Sequence, residues 1–166
     1  MMMVNGLKYM VAFALAFALM LGFRTLVFSV HSVNGDALAP LYHHGDQLLV
    51  NRCSYGLRIA GHGLLPYTRL LSQPVKKGDI VVFTVPSDSL AGIFIARCMA
   101  VPGDTVNTLK GSLVVPGRKT CANADYYWLE GVNPTNPADS RHLGFISERD
   151  ILGRVVTTLY NRQQLR

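Results

Sequence analysis

A long apolar stretch near the N-terminus dominates the hydrophobic pattern of the chain. Across residues 9–30 the only charged side chain is that of Arg24. An α-helix of ~20 residues can cross a bilayer, and an arginine near one end of such a helix can reach the interface. The pattern therefore predicts a cytoplasmic N-terminus and a transmembrane anchor within residues 1–30.

A cleavable signal peptide is the alternative for this segment. The apolar run is long, however, and no small-x-small cleavage site precedes the folded part, so a retained anchor is favoured. Lys8 and the free amino group favour a cytoplasmic N-terminus, whereas Arg24 favours the opposite orientation. We expect a single-pass protein of the inner (cytoplasmic) membrane, with its N-terminus inside and residues 31–166 on the extracytoplasmic side.

From residue 31 onward the pattern changes to short apolar runs separated by Gly, Pro, Asn and Asp. β-Branched and aromatic residues dominate these runs, which is typical of strands between turns. The clearest predicted strands are residues 47–51, 80–85, 93–101, 126–129 and 151–159. Short strands at this spacing indicate an all-β domain over residues 31–166. The predicted fold class is therefore mainly β, with an N-terminal transmembrane helix before an all-β domain.

Composition adds size and charge to this picture. The chain has 166 residues, a formal charge of +6 and a mean hydropathy of +0.24. This length suits one domain with a hydrophobic core. Basic and aromatic residues are not interleaved and no nucleic-acid motif is present, so nucleic acid is not expected as a partner. Attraction to anionic lipid headgroups explains the positive charge better than nucleic-acid binding does, and membrane lipid is the expected partner.

Histidines and cysteines do not form metal-binding patterns here. The five histidines lack the spacing of metal ligands, so no metal or other cofactor is expected. Three cysteines exclude complete internal pairing, and they contain no Cys-x-x-Cys pair. Cys98 is expected to be a small core residue. A disulfide between Cys98 and Cys53 stays open, because sequence does not fix the geometry.

Five motifs follow one another along the chain. They are Arg-Thr-Leu-Val-Phe at residues 24–28, Gly-Asp-Ala-Leu-Ala-Pro at 35–40, Lys-Gly-Asp-Ile-Val-Val-Phe at 77–83, Ile-Ala-Arg-Cys-Met-Ala-Val-Pro-Gly-Asp at 95–104, and Gly-Val-Asn through Asp-Ser-Arg at 131–141. Each motif alone is weak, but the ordered set is specific and covers nearly the whole chain. The set resembles the membrane-bound type I signal peptidases, serine endopeptidases that remove signal peptides from exported preproteins.

The resemblance implies a Ser/Lys dyad and signal peptides as the partner. In that family a serine hydroxyl attacks the scissile carbonyl after a lysine, kept neutral by apolar surroundings, takes its proton. The serine position is Ala37 here, and the lysine position is Ala96. Neither side chain can perform that chemistry, so the chain as written is predicted to be catalytically inactive.

Three further groups of site residues follow from the resemblance. They are the oxyanion loop residues Gly35 and Asp36, the residues Asp139, Ser140 and Arg141 that would brace the site, and the residues Val81, Phe83, Ile93 and Ile95 on the strands that would bind the signal peptide. Bracing is favoured over an ordinary surface ion pair because a charge-assisted Asp–Arg bond can fix geometry, whereas isolated surface pairs contribute little.

Two origins of the alanines stay open. Engineered replacement is favoured because both dyad positions carry alanine while the neighbouring motifs are intact. The alternative is a natural non-catalytic homologue that binds signal peptides or regulates secretion. Pro137 supports that alternative, because it stands where the family has a serine that positions the lysine. Self-cleaving repressors with the same chemistry are disfavoured, since no helix-turn-helix precedes the β domain.

Overall fold

A computed structural model of the chain describes residues 2–33, 38–59, 68–85, 92–108, 111–120, 124–133 and 139–160. Two helices and eleven strands lie within these ranges. In chain order they are α1 (Met2–Val27), β1 (Phe28–Ser32), β2 (Gln47–Asn51), β3 (Leu57–Ile59), β4 (Thr68–Leu70), β5 (Ile80–Thr84), β6 (Ile93–Ala100), β7 (Thr105–Thr108), β8 (Gly111–Val114), β9 (Tyr126–Glu130), α2 (Ser140–Leu143), β10 (Ile146–Ser147) and β11 (Ile151–Tyr160). The prediction of a mainly β fold is confirmed.

Seven of the described strands form one antiparallel sheet in the order β1-β2-β11-β5-β6-β9-β10. The pairs β3–β4 and β7–β8 form separate hairpins. The long strand β11 lies between β2 and β5, and it therefore joins the first two strands to the rest of the sheet. Contacts between residues far apart in sequence thus hold the two halves of the sheet together.

The centre of the sheet is packed on both faces. In the β5–β6 pair, Val81 lies opposite Ala96 and Val82 lies opposite Ile95. Paired residues share a face and neighbours along a strand alternate, so the two pairs point to opposite sides. Ala96 and Val81 belong to one buried cluster, whereas Ile95 and Val82 belong to another. Strand β6 therefore contributes to the core on both faces.

Two glycine turns flank the central strand pair. Gly78 and Gly103 have φ angles of 88° and 91°, which residues with a Cβ rarely adopt. The Gly78 N–H donates to the Cys98 carbonyl at 2.7 Å. Between the two turns, Lys77 Nζ and Asp104 Oδ2 form an ion pair at 2.9 Å. The Lys-Gly-Asp and Pro-Gly-Asp motifs therefore stabilise the turns that hold β5 and β6 in register.

Helix α1 takes up most of the apolar N-terminal stretch and leads directly into β1. Its apolar side chains are exposed, including Tyr9, Phe13 and Leu19 at 76%, 74% and 73%. The Arg52 N–H donates to the Val27 carbonyl at 2.8 Å, which ties the end of the helix to the segment after β2. In the part of the chain that the structure describes, no helix reaches the combined length and apolarity required to cross a membrane.

Candidate functional site

The predicted nucleophile loop is described at its two ends. Outside the described residues lie three predicted site residues: Gly35, Asp36 and Ala37. Val33, just before the loop, and Leu38, just after it, are 2% and 1% exposed. Both pack in the buried cluster that contains Ile95. The chain therefore enters and leaves this loop on the face of the sheet that carries Ile95.

Hydrogen bonds fix the chain on both sides of this loop. The Val33 N–H donates to the Asp46 carbonyl at 2.9 Å, and the Gly45 N–H donates to the Val33 carbonyl at 3.0 Å. The Asp46 side chain is fully buried, and its Oδ2 accepts from the His43 N–H at 2.9 Å. The Gly-Asp pair predicts a turn from sequence, but nothing in the sequence signals that its carboxylate is buried.

Ala96, the predicted lysine position, is fully buried in β6 with 0% exposure. It lies in a cluster of apolar and aromatic residues that includes Val81, Phe83 and Leu129. An amine at this position would be desolvated, and burial of this kind lowers the pKa of a lysine by several units. The surroundings therefore suit a neutral lysine, whereas the alanine methyl group can neither accept nor donate a proton.

The four residues predicted to bind a peptide do not share one face. Val81 and Phe83 are fully buried in the cluster that contains Ala96, so a bound peptide has no access to their side chains. Ile93 and Ile95 point to the opposite face, where they are 43% and 7% exposed. Their separation follows from the alternation of side chains along paired strands. Contact of these two strands with a peptide stays a prediction.

The carboxylate of Asp139 is fully buried and is hydrogen-bonded on several sides. It accepts from the Gly131 N–H at 2.9 Å, from the Arg141 N–H at 2.9 Å and from Arg141 Nε at 3.0 Å. Arg141 Nη2 also donates to the Gly131 carbonyl at 3.0 Å. Burial alone would raise the pKa of Asp139, but the bonds from Arg141 and the backbone together hold that pKa below its usual value.

Ser140 extends these contacts to the sheet. Its hydroxyl accepts from the Leu129 N–H at 2.8 Å, and both groups are buried. Leu129 pairs with Cys98 of β6, two residues from Ala96. The Asp-Ser-Arg motif therefore holds the end of β9 and, through β9, the strand that carries Ala96.

The two cysteines that the structure describes are free thiols. Cys98 is fully buried, which confirms the expectation of a core residue, and burial raises the pKa of its thiol to about 12. The thiolate is the nucleophilic form of cysteine, so Cys98 does not replace the missing serine near neutral pH. The disulfide between Cys53 and Cys98 that the sequence left open is not formed.

Tyr55 and Asp79 form a contact that motif analysis did not reveal. The Tyr55 hydroxyl donates to Asp79 Oδ2 at 2.9 Å, and burial together with this carboxylate raises the pKa of Tyr55. Arg154 Nη1 lies 3.5 Å from Asp79 Oδ1, and the Cys98 N–H donates to the Asp79 carbonyl at 2.8 Å. Asp79 thus joins β6 to two distant segments of the chain, which contain Tyr55 and Arg154. The partners are far apart in sequence, and no local pattern connects them.

Similarity to known proteins covers most of the chain. Residues 6–125 match the family described as signal peptidase, peptidase S26. A signal peptidase I of Leptolyngbya laminosa is 26% identical over 180 residues, covering 95% of this chain and 80% of that protein. A probable signal peptidase I-2 of Synechocystis sp. is 28% identical, covering 84% of this chain and 66% of that protein. Signal peptidase I P of Bacillus subtilis subsp. natto is 24% identical, covering 90% and 86%.

Proposed function

We propose that this chain, which belongs to the signal peptidase family (peptidase S26), is a membrane-attached signal peptidase that binds the signal peptides of exported preproteins but does not cut them in its present form. Serine-type peptide hydrolysis is the reaction of the family. Ala37 and Ala96 stand where this reaction needs a hydroxyl and an amine. The chain therefore keeps signal-peptide binding but lacks cleavage.

The buried environment of Ala96 carries the proposal. A lysine in this apolar cluster would be neutral and able to act as a base near neutral pH. Alanine leaves the surroundings intact but removes the base, and Ala37 offers no hydroxyl to activate. Loss of one member of such a unit already removes nearly all of its nucleophilic contribution. We therefore assign no peptide cleavage to the chain with both alanines.

The second face of β6 supports peptide binding. Ile93 and Ile95 lie on this face, and Val33 and Leu38 bring the two ends of the predicted nucleophile loop to it. An extended peptide can bind beside a strand through backbone hydrogen bonds, while shallow apolar positions select its side chains. We propose that the signal peptide lies here, beside the predicted nucleophile loop.

Attachment to the inner membrane is the second part of the proposal. Between Lys8 and Arg24 the chain has no charged residue, and the apolar side chains of α1, such as Phe13 and Leu19, are exposed. Large exposed apolar surfaces mark sites of protein or membrane contact. We propose that α1 enters the bilayer with its N-terminus on the cytoplasmic side, so that residues 31–166 lie on the extracytoplasmic side.

Restoring the dyad tests the catalytic part of the proposal. The double variant Ala37→Ser/Ala96→Lys is expected to cut a preprotein in detergent or lipid, whereas the unmodified chain leaves it intact. Each single variant is a control, because a nucleophile without its base, or a base without its nucleophile, gains little activity. Gel analysis and N-terminal sequencing of the product measure cleavage. A folded double variant that leaves the preprotein uncut contradicts the assignment of these two positions.

A natural non-catalytic role in binding signal peptides or regulating secretion is the second candidate. Pro137, which lies outside the described residues, favours it because the family has a serine at that position. Photocrosslinking of a preprotein to the unmodified chain tests binding, and a lack of crosslinks near residues 37 and 96 argues against it. Codons 37 and 96 of the source organism's own gene distinguish a natural origin of the alanines from an engineered one.

A further inference from the structure

The carboxylate of Asp79 lies on the same face of the sheet as residue 96. Asp79 is opposite Cys98, since the Cys98 N–H donates to the Asp79 carbonyl at 2.8 Å. Ala96 and Cys98 share a face because side chains alternate along β6, and both belong to one buried cluster. Tyr55 packs in this cluster, and its hydroxyl reaches Asp79 Oδ2. The carboxylate is therefore the diagonal neighbour of residue 96 across the β5–β6 pair.

This carboxylate conflicts with a neutral base at residue 96. Diagonal neighbours on two antiparallel strands are close enough for a long side chain to bridge them. A carboxylate beside an amine favours the charged form of the amine. A lysine at residue 96 that paired with Asp79 would be charged, and it could not take a proton from a serine. A neutral base therefore requires that the Asp79 carboxylate be bonded elsewhere.

Three donors already hold the carboxylate of Asp79. Its Oδ2 accepts from the Tyr55 hydroxyl at 2.9 Å and from the Lys76 N–H at 3.1 Å. Its Oδ1 lies 3.5 Å from Arg154 Nη1, whose positive charge offsets that of the carboxylate. The Asp79 side chain is only 14% exposed, so water competes little for these oxygens. Both oxygens therefore have partners without an amine at residue 96.

Other charged groups surround the same cluster. Tyr127 of β9 packs in it as a neutral phenol, since burial raises its pKa to about 12. Arg69 donates to the carbonyls of Tyr55 and Ile151, and its positive charge also disfavours a charged amine. Among the acidic residues described on this face, Asp79 is nearest to residue 96 in register. The neighbouring acidic residues have basic partners: Asp104 with Lys77, Asp125 and Glu148 with Arg118, Asp139 with Arg141, and Asp150 beside Arg58.

We propose that Tyr55 and Arg154 are positioning residues for the base of the signal peptidase reaction, because they hold the Asp79 carboxylate away from an amine at residue 96. The inference rests on the proposed function, in which a lysine at residue 96 is that base. Tyr55 and Arg154 act through Asp79. Their contacts persist in the present chain, so a restored lysine should find the carboxylate already bonded.

Cleavage across a range of pH tests this role in the Ala37→Ser/Ala96→Lys chain. The value of kcat/KM should rise with pH through the lysine pKa, because cleavage needs the neutral amine. Adding Tyr55→Phe frees one oxygen of Asp79, which should move the midpoint of this rise upward by about one pH unit. Below the midpoint, cleavage should then fall roughly tenfold. A loss of packing alone would lower kcat/KM at every pH without moving the midpoint.

Three further variants show whether the shift depends on the carboxylate. Arg154→Gln should move the midpoint in the same direction as Tyr55→Phe. Tyr160→Phe makes the same chemical change at a 44% exposed residue of β11 and should leave the midpoint in place. In an Asp79→Asn background, Tyr55→Phe should cause no shift, because the amide carries no charge to favour the protonated amine.

The Ala96→Lys chain without the serine gives a second measurement that needs no cleavage. The pH dependence of its urea unfolding reports the lysine pKa, which Tyr55→Phe should raise by about one unit. A variant that is unfolded at neutral pH still reports this pKa through the pH at which it folds. The full chain is used in detergent throughout.

Three outcomes overturn the inference. They are a midpoint that neither Tyr55→Phe nor Arg154→Gln moves, an equal shift in Tyr160→Phe, and a Tyr55→Phe shift that persists with Asp79→Asn. A folded Ala37→Ser/Ala96→Lys chain that leaves the preprotein uncut contradicts the proposed function instead. The two failures are distinguishable because unfolding of the Ala96→Lys chain measures the lysine pKa separately.

Discussion

Asp139 is held in a buried position by the backbone and by the side chain of Arg141. Its carboxylate accepts bonds from Gly131 and Arg141 in a buried position. Asp139→Asn removes the charge from these bonds and is expected to lower the free energy of unfolding by about 2 kcal/mol. Lys77→Ala, which breaks the more exposed pair with Asp104, is the control and should cost at most about 1 kcal/mol. Urea unfolding measures both, and equal losses contradict the role of Asp139.

The pKa of Asp139 gives this contribution a pH dependence. Because that pKa is held below 3.8, the folded protein keeps the carboxylate ionised at a pH where the unfolded chain binds a proton. The stabilisation is complete above about pH 5 and is lost as the pH falls from about 4 through the folded-state pKa. The stability difference between the unmodified chain and Asp139→Asn should therefore shrink below about pH 4. Urea titrations at each pH measure it, and a constant difference down to about pH 3 counts against this explanation.

Ala96→Lys tests the apolar surroundings of this position without any catalysis. Desolvation should lower the lysine pKa well below its usual ~10.4, so the unfolded chain binds more protons than the folded one. The stability of this variant should then rise with pH from the lowered pKa up to about 10. Met99→Lys, at a 50% exposed residue of the same strand, is the control and should show no comparable rise. Parallel pH profiles for the two variants would show that residue 96 does not desolvate an amine.

At the scale of elements, the positions of the strands in the sequence were more predictable than the pairing between strands. Residues 47–51 and 80–85 correspond closely to β2 (Gln47–Asn51) and β5 (Ile80–Thr84). Apolar and β-branched runs between turn residues favour strands whatever lies beside them. The position of β11 between β2 and β5 was not predictable, because no local pattern specifies which strands become neighbours.

The same dependence on strand pairing applies to the four residues predicted to bind a peptide. Val81, Phe83, Ile93 and Ile95 are all apolar and all suit a strand. Only the register, with Val81 opposite Ala96, determines which residues face the buried cluster and which face the other side. A shift of one residue would exchange the two faces. The motifs predict the dyad positions, but the orientation of their neighbours depends on pairing between strands.

Gly153 allows β11 to approach β2 closely. A Cβ at this residue would lie 2.5 Å from the Asn51 carbonyl oxygen and 3.0 Å from Arg52 Cα, and a backbone atom cannot rotate away as a side chain does. Gly153→Ala is expected to cost about 2 kcal/mol by overpacking. Gly22→Ala in α1, where no atom lies within 4 Å of the added Cβ, should cost nothing. Thermal unfolding distinguishes the two variants, and similar losses contradict the close approach.

For the whole molecule, the proposed membrane attachment depends on the apolar surface of α1. Phe13→Asp/Leu19→Asp places two charges in this helix, each costing roughly 3 kcal/mol at the centre of a bilayer. The double variant should no longer float with anionic liposomes at high salt, where surface charge attraction is screened. Leu113→Asp/Leu159→Asp adds the same charge to exposed leucines of the β domain and should still float. Equal flotation of the two variants argues against an anchor in α1.

Because β11 lies between β2 and β5, the sheet cannot be completed until residues 151–160 have been synthesised. Synthesis proceeds from the N-terminus, so β1 and β2 emerge long before residues 151–160 can join them to β5. Pairings between residues this far apart in sequence also form slowly. The face that carries Val33, Leu38 and Ile95 is therefore assembled only after β11 has been made. A nascent chain that lacks β11 therefore does not bring these three residues together.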